Sequence, residues 1–136
     1  MRLRRIVVVI ITVLAVGLIP ETAGASAHQG TWRGTTAQAR GISFRVNAYE
    51  QITYLALRIE VEGFECSAVV TWTYKGAARI RDDGSFTVHG HSGLDSLTVN
   101  GRFLSRFKAE GFAKSTVFDP CFGSGRTSWT ASKVVA

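Results

Sequence analysis

The stretch Leu-Ala-Leu-Arg-Ile-Glu-Val-Glu, residues 55–62, decides the fold class of this chain. Its apolar side chains occupy every second position, which is the period of a β-strand with one buried face. An α-helix would distribute the same charges around its surface. The stretch from Ile42 to Ala48 alternates in the same way, and Tyr49-Glu50 between the two stretches indicates a short hairpin connection.

The same alternation continues along the rest of the chain. Asp82-Asp83-Gly84 is a turn signal. Asn100-Gly101 is either a two-residue hairpin turn or part of one long strand, and the unbroken alternation around it favours the long strand. Residues 113–126 are expected to be the longest irregular segment. Further strands are expected around Trp32, Val69 to Tyr74, Phe86 and Val88, Leu97 to Phe103, Phe107 and Ala109, and Trp129 and Ala131.

These eight or nine short strands, with no helical segment, predict an all-β fold. Turn signals every 8–12 residues are typical of an antiparallel β-sandwich or a small closed β-barrel. The sequence pattern leaves both architectures open.

Residues 1–27 have the features of a secretory signal peptide. Three arginines precede an apolar run from Ile6 to Ile19, and Ala25-Ser26-Ala27 is a small-x-small cleavage pattern. The run is shorter than the about 20 apolar residues of a membrane-spanning helix. We therefore expect cleavage after Ala27, a single secreted β-domain over 28–136, and no transmembrane anchor after cleavage.

The charge of the chain changes when this leader is removed. The formal net charge of +6 falls to +4 once three arginines and Glu21 are subtracted. The remaining basic residues are spread over outward strand positions, so a solvated surface is the simplest interpretation. Attraction to an anionic polymer of the cell envelope or to lipid headgroups is the functional alternative. Nucleic acid is not an expected partner of an exported domain.

The two cysteines predict a structural staple. Cys66 and Cys121 are the only cysteines of the chain, so one intramolecular pairing is possible, closing a loop of 56 residues. Export would place them in an oxidising compartment, where disulfides form and persist. A catalytic thiol is the competing interpretation, and a pair fits a bridge better.

The chain resembles a family of small secreted bacterial β-domains of unassigned function. This resemblance implies a β-sandwich or barrel with one disulfide and no known activity. It is carried by short motifs along nearly all of residues 28–136: Gly30-Thr31-Trp32-Arg33-Gly34-Thr35-Thr36, Ile42-Ser43-Phe44-Arg45-Val46, Cys66, Asp83-Gly84-Ser85-Phe86, Val99-Asn100-Gly101-Arg102-Phe103, Ala109-Glu110-Gly111, Cys121 and Ser128-Trp129-Thr130-Ala131.

Gly30-Thr31-Trp32 is also similar to the Gly-x-Trp that opens lipocalin- and avidin-like barrels. In lipocalins an arginine near the end of the chain packs across this tryptophan, and the resemblance assigns that place to Arg126. It implies, as an alternative function, a barrel that binds a small ligand. An eight-stranded barrel is just wide enough to hold side chains or one small ligand.

Histidines provide weak candidates for a metal site. His89 and His91 are two residues apart on a predicted strand and would project from one face. Asp95 or His28 would supply a third ligand. Cleavage after Ala27 would make His28 the amino terminus, where an amine and an imidazole together bind copper in histidine-brace proteins. Histidines solvated near a turn explain the same pattern, and we expect no cofactor.

The sequence contains no arrangement that predicts catalysis. Gly123-Ser124-Gly125 lacks the spacing of a nucleophile elbow, and Asp82-Asp83 are adjacent turn residues. Exposed aromatic side chains would instead form a platform for a carbohydrate, whereas Trp32 and Trp129 are expected in the core. The candidates for this platform are Trp72, Tyr74, Tyr49 and Tyr54.

The function that these patterns favour is non-catalytic. We expect a secreted domain that binds an anionic envelope polymer, a glycan or another secreted protein. A small-ligand barrel is the alternative, and a copper-binding protein is a more distant one.

Overall fold

The computed structural model describes residues 27–119 and 121–135, so the predicted signal peptide lies outside the described residues except for Ala27. The described part of the chain is built of antiparallel strands, which confirms the all-β prediction. There are eight of them: β1 (Gly30–Thr36), β2 (Gly41–Val46), β3 (Gln51–Gly63), β4 (Cys66–Arg79), β5 (Ser85–Ser92), β6 (Asp95–Phe103), β7 (Lys108–Val117) and β8 (Gly123–Lys133).

The strands form an up-and-down barrel, one of the two predicted architectures. Their order in the sheet is β4-β3-β2-β1-β8-β7-β6-β5. The first strand, β1, therefore pairs with the last strand, β8, in the middle of this hydrogen-bonded order. β4 and β5 are the two strands at its ends. Up-and-down closure is also the architecture of lipocalin- and streptavidin-type barrels.

The barrel closes between β4 and β5 through side chains. A Cβ atom at Gly90 of β5 would lie 3.6 Å from the indole ring of Trp72 on β4, an ordinary packing distance, so β5 passes directly beside the ring. Trp72 Nε1 donates a hydrogen bond of 2.9 Å to the hydroxyl of Ser115 on β7, on the far side of this seam. Ser115 Oγ in turn donates to the carbonyl oxygen of Ser96. One tryptophan thus connects β4, β5 and β7.

The turns follow the sequence signals. Glu50 adopts a left-handed φ of 55° in the hairpin between β2 and β3. In the Asp82-Asp83-Gly84 turn, Gly84 has a φ of 82°, and its backbone N–H donates to the carbonyl of Arg81 at 2.9 Å. β6 continues through Asn100-Gly101 without interruption, which confirms the single long strand.

Aromatic rings fill the interior of the barrel. Each ring comes from a different strand, and neighbouring ring centroids lie 4.8–6.2 Å apart. Such spacing is the range of favourable offset and edge-to-face contacts. Trp32 and Trp129 belong to this set, as predicted for the core. The rings are those of Trp32, Phe44, Phe86, Phe103 and Trp129, and aliphatic side chains of β3, β5 and β6 pack around them.

The prediction of an irregular segment over 113–126 was wrong. Residues up to Val117 belong to β7 and residues from Gly123 belong to β8. β3 is longer than β1 and β2, so beyond their ends it pairs directly with β8, with Gly63 opposite Gly123. This approach requires glycine, because a Cβ atom at Gly125 would lie 2.1 Å from the carbonyl oxygen of Glu60. The glycines mark close-packed backbones rather than a loop.

The predicted disulfide is confirmed. Cys66 and Cys121 are joined with a Cα–Cα distance of 6.0 Å. The bond ties the start of β4 to the connection between β7 and β8, beside the point where β3 meets β8. It therefore holds together strands that are far apart in the chain and adjacent in space.

Candidate functional site

The barrel separates charge along its axis. Because neighbouring strands are antiparallel, the connections 47–50, 80–84 and 104–107 meet at one end, together with the two chain segments 27–29 and 134–135. At this end, which we call the basic end, basic residues outnumber acidic ones. We count the residues of these connections together with the two terminal residues of each strand at this end. The basic ones are Arg45, Arg79, Arg81, Arg102, Arg106, Lys108 and Lys133, and the acidic ones are Glu50, Asp82 and Asp83.

The opposite end carries the opposite sign. We call it the disulfide end; it consists of the connections 37–40, 64–65, 93–94 and 118–122 and the two adjoining positions of each strand. By the same criterion its described residues include one basic side chain, Arg40. The acidic ones are Glu62, Glu65, Asp95 and Asp119. The two ends therefore present potentials of opposite sign to solvent.

The β6–β7 connection is the most prominent feature of the basic end. Its residues 102–108 read Arg-Phe-Leu-Ser-Arg-Phe-Lys, so basic and apolar side chains are interleaved. The backbone N–H of Leu104 donates to the carbonyl of Lys108 at 2.9 Å, and the N–H of Phe107 donates to the Ser105 hydroxyl at 3.2 Å. The Phe107 carbonyl accepts from the N–H of Lys133 at 3.0 Å. The connection is thus braced by hydrogen bonds to itself and to β8.

His28 and Glu50 cover the barrel interior at this end. His28 Nδ1 lies 2.6 Å from Glu50 Oε2, and the His28 backbone N–H donates to Glu50 Oε1 at 3.3 Å. The imidazole stacks on the ring of Phe103 with a centroid distance of 4.1 Å. The His28 carbonyl accepts a hydrogen bond from Trp32 Nε1 at 2.9 Å. The segment before β1 is thereby fixed over the aromatic core.

Asp83 is held in its charged form at the turn between β4 and β5. The Ser85 hydroxyl donates to Asp83 Oδ1 at 2.6 Å, and the Ser85 backbone N–H donates to the same oxygen at 2.9 Å. These two bonds, with smaller contributions from Arg102 and Arg81, hold the pKa of the Asp83 carboxyl below its usual value. The carboxylate stabilises the turn and is one of the three acidic side chains counted at the basic end.

A shallow groove crosses the outer wall over β6, β7 and β8. It has a volume of about 420 Å³. Gly101, Gly111 and Trp129 lie side by side beneath it, in register across the three strands. Trp129 Nε1 is buried and has no hydrogen-bond partner among the described residues. Polar side chains and Phe112 border the groove: Asn100, Arg102, Glu110, Ser128 and Thr130.

The structure does not gather the predicted aromatic platform on one surface. Trp72 is only 7% exposed and points into the barrel. Tyr74 packs partly against the core, and the guanidinium of Arg45 lies 5.1 Å from the centroid of the Tyr54 ring. Tyr49, in the hairpin at the basic end, is 82% exposed. Only Tyr49 among the four is a freely accessible ring.

Arg126 does not take the place that the lipocalin resemblance assigns to it. Its guanidinium lies 5.2 Å from the centroid of the exposed Phe112 ring, on the outer wall. Trp32 is buried among Phe44 and Phe103 and is covered by His28 instead. The outward direction of Arg126 follows from its position on β8, where buried and exposed residues alternate.

The histidines considered as metal ligands lie apart. His89 and His91 are exposed on the outer face of β5, and Asp95 at the start of β6 accepts from the backbone N–H of Phe118 at 2.9 Å. His28 lies at the basic end, and the two nitrogen atoms that a copper brace would use both face Glu50. Within the described residues, no three His, Cys, Asp or Glu side chains are grouped to hold a metal ion.

The basic end itself was not recognised from the sequence. The signal was present in two places: the interleaved run at 102–108, and the rule that alternate connections of an up-and-down barrel share an end. The strand order was needed to apply the rule, because a sandwich with crossing connections would distribute the same residues differently.

These features define an antiparallel β-barrel domain with a filled interior and two ends of opposite charge. Within residues 27–119 and 121–135, no helix is long and apolar enough to cross a bilayer. No protein-family model matches the sequence, and the search of curated proteins found no match. Among solved structures, the barrel is similar to the S-type phycobiliprotein lyase CPES from Guillardia theta, with a TM-score of 0.41 and 8% identity over 81% of this chain and 89% of that chain.

Proposed function

We propose that this chain is a secreted, non-catalytic binding domain that attaches to an anionic surface through its basic end. The observation that carries the proposal is the separation of charge along the barrel axis. A cluster of basic side chains at one end attracts and orients an anionic partner, and the acidic end turns away from it. The groups recognised are closely spaced phosphates or carboxylates, the chemistry that arginine pairs with best.

A non-catalytic role is supported by the filled interior. A substrate inside the barrel would have to displace the rings of Trp32, Phe44 and Phe103, which contact one another directly. The outer groove contains one carboxylate, Glu110, and no second acid to share general acid–base work. Binding at the surface is therefore the more economical interpretation.

The small-ligand barrel is the less well supported alternative for the same reason. Ligand pockets are usually largely formed before the ligand binds. Here the space along the axis is occupied by side chains with less than 10% exposure. Copper binding at His28 would require the metal to compete with Glu50 for both nitrogen atoms.

Binding to long-chain polyphosphate, measured by isothermal titration calorimetry, tests the proposal. The chain beginning at His28 contains all eight strands and is the protein to use. Reversing two exposed charges of the basic end, Arg79→Glu with Arg106→Glu, is expected to weaken binding at least roughly thirtyfold, because each lost cation near an anionic surface contributes about 1 kcal/mol and the new carboxylates add repulsion. The matched control, Arg58→Glu with Lys114→Glu on the barrel wall, changes the net charge equally.

The control separates the basic end from net charge. If both double variants weaken binding equally, only the overall charge matters and the proposal fails. If the wild-type chain does not bind polyphosphate at low ionic strength, it fails outright. Binding must also weaken as salt is added, since a Debye length of about 10 Å at 0.1 M screens surface charges.

A further inference from the structure

The connections at the basic end also expose apolar side chains. Leu104 and Phe107, both in the β6–β7 connection, are 56% and 54% exposed. Arg102, Arg106 and Lys108 are close to them in the sequence and are also exposed, so cationic and apolar side chains are accessible on the same connection. Tyr49 in the neighbouring hairpin and Val135 after β8 add further exposed apolar surface at this end. A soluble polyanion would use the charges and leave these side chains in water.

The backbone holds these side chains outward. The hydrogen bonds from Leu104 and Ser105 to the Lys108 carbonyl close the connection into a tight turn. Lys108 Nζ donates to the Ser132 hydroxyl at 2.7 Å, which anchors the start of β7 to β8. Because the turn is already ordered, little conformational entropy is lost when its side chains enter another medium.

The disulfide end provides the contrast. It also exposes large apolar side chains, among them Phe64, which is 90% exposed, and the edge-to-face pair Phe118 and Phe122. Its charged side chains are acidic except for Arg40, so an anionic surface would repel this end. Among the described residues, a cluster of several basic side chains beside exposed apolar ones is found at the basic end and not at the disulfide end.

We propose that the anionic surface is a lipid bilayer with anionic headgroups, into whose interface Leu104 and Phe107 insert while Arg102, Arg106 and Lys108 contact the headgroups. This inference rests on the proposed function and specifies its partner. The arrangement satisfies both requirements of interfacial binding, apolar burial below the headgroups and basic residues beside them. Tyr49 lies at the same end, where an amphipathic ring favours the interface.

Fluorescence measures the insertion directly. The native tryptophans are buried, so Phe107→Trp introduces a solvent-exposed reporter. Its emission is expected to shift to the blue when vesicles of phosphatidylcholine with phosphatidylglycerol are added. Vesicles of phosphatidylcholine alone should produce no shift. The matched control is Phe64→Trp, at the tip of a hairpin at the disulfide end, whose emission should not change with either vesicle.

Co-sedimentation with the same vesicles measures the affinity. Phe107→Ala and Leu104→Ala are each expected to weaken binding by about tenfold, the effect of losing partial burial of one large apolar side chain. Phe64→Ala should leave the affinity within about twofold, the same scale as a neutral surface change. Thermal unfolding of each variant identifies any loss of binding that is due to loss of folding.

The outcomes distinguish this inference from the proposed function. Binding to polyphosphate that depends on Arg79 and Arg106, without binding to vesicles, overturns the lipid inference and leaves the proposed function standing. Vesicle binding with no emission shift and no effect of Phe107→Ala overturns insertion. Salt-sensitive self-association in sedimentation velocity, lost in the Arg106→Glu variant, would assign the basic end to the acidic end of a second copy and also overturn it.

Discussion

Reduction of the Cys66–Cys121 disulfide is expected to lower the free energy of unfolding by about 4 kcal/mol. The bond closes a loop over a sequence separation of 55 residues, and the loop-closure entropy that it removes from the unfolded chain grows with the logarithm of that length. The folded state is expected to change little. Glu62 pairs with Ser124 and Gly63 with Gly123 next to the bond, so the same strands remain joined through their backbones.

Guanidinium denaturation of the oxidised and the reduced chain, followed by tryptophan fluorescence, measures this difference. Both samples have the same sequence, so the comparison changes only the covalent state of the two sulfur atoms. The reduced chain is also expected to show a larger m-value, because its unfolded state is less compact and exposes more surface. The Cys66→Ala/Cys121→Ala variant without reductant is the control for effects of the reducing agent.

A loss of less than about 1 kcal/mol on reduction would refute the argument, since it would mean that the unfolded chain is not appreciably constrained by the bond. An unchanged m-value would point the same way. A much larger loss, accompanied by a changed fluorescence spectrum before the transition, would show that the bond maintains native packing at the disulfide end.

Three further predictions concern stability. Gly125→Ala is expected to destabilise the barrel by about 1–3 kcal/mol in urea denaturation, because its Cβ would lie 2.1 Å from the Glu60 carbonyl oxygen, whereas Gly41→Ala, with nothing within 4 Å, should be near neutral. Ser115→Ala is expected to cost about 1–3 kcal/mol in the same assay by leaving Trp72 Nε1 unpaired; an unchanged midpoint would contradict a role for this bond. Because the pKa of Asp83 is lowered from 3.8, its contribution is present above pH 3.8 and is lost as the pH falls through the lowered value. Carboxyl NMR titration should show this low pKa, and Ser85→Ala should return it toward 3.8; the same pKa in both proteins would disprove the assigned cause.

The strands could be predicted from the sequence because burial alternates along each of them. β3 is the plainest example, with Leu55, Leu57 and Ile59 inside and Arg58 outside. The choice between a barrel and a sandwich could not be predicted, since it depends on β1 pairing with β8, which involves residues about a hundred positions apart. The irregular segment expected over residues 113–126 was wrong for a related reason. At Gly123 and Gly125 the missing side chain allows two backbones to approach, and the sequence does not say which backbone that is.

The aromatic residues of β4 show the limit of predicting, from alternating polarity, which side chains point into the barrel. Trp72 and Tyr74 are two residues apart on β4, so their side chains lie on the same face of the strand. Most residues of β4 are exposed, and no run of charged residues distinguishes its outer face from its inner face. The structure turns Trp72 inward, where its ring packs beside Gly90 and Ser115 accepts its N–H. Both partners lie on other strands, so the inward position of Trp72 is a property of the barrel and not of β4.

The two ends of the barrel are stabilised by different means, which makes binding separable from stability. The covalent link between Cys66 and Cys121 lies at the disulfide end, whereas the β6–β7 connection at the basic end is held by backbone hydrogen bonds and by β8. Reduction acts mainly on the unfolded chain, so a reduced protein that is still folded should keep its basic end intact. We therefore expect its affinity for polyphosphate in calorimetry to equal that of the oxidised protein within about twofold, at a temperature well below unfolding. A large loss of affinity on reduction would mean that the two ends are coupled through the strands, and that the barrel does not hold the basic end independently of the disulfide.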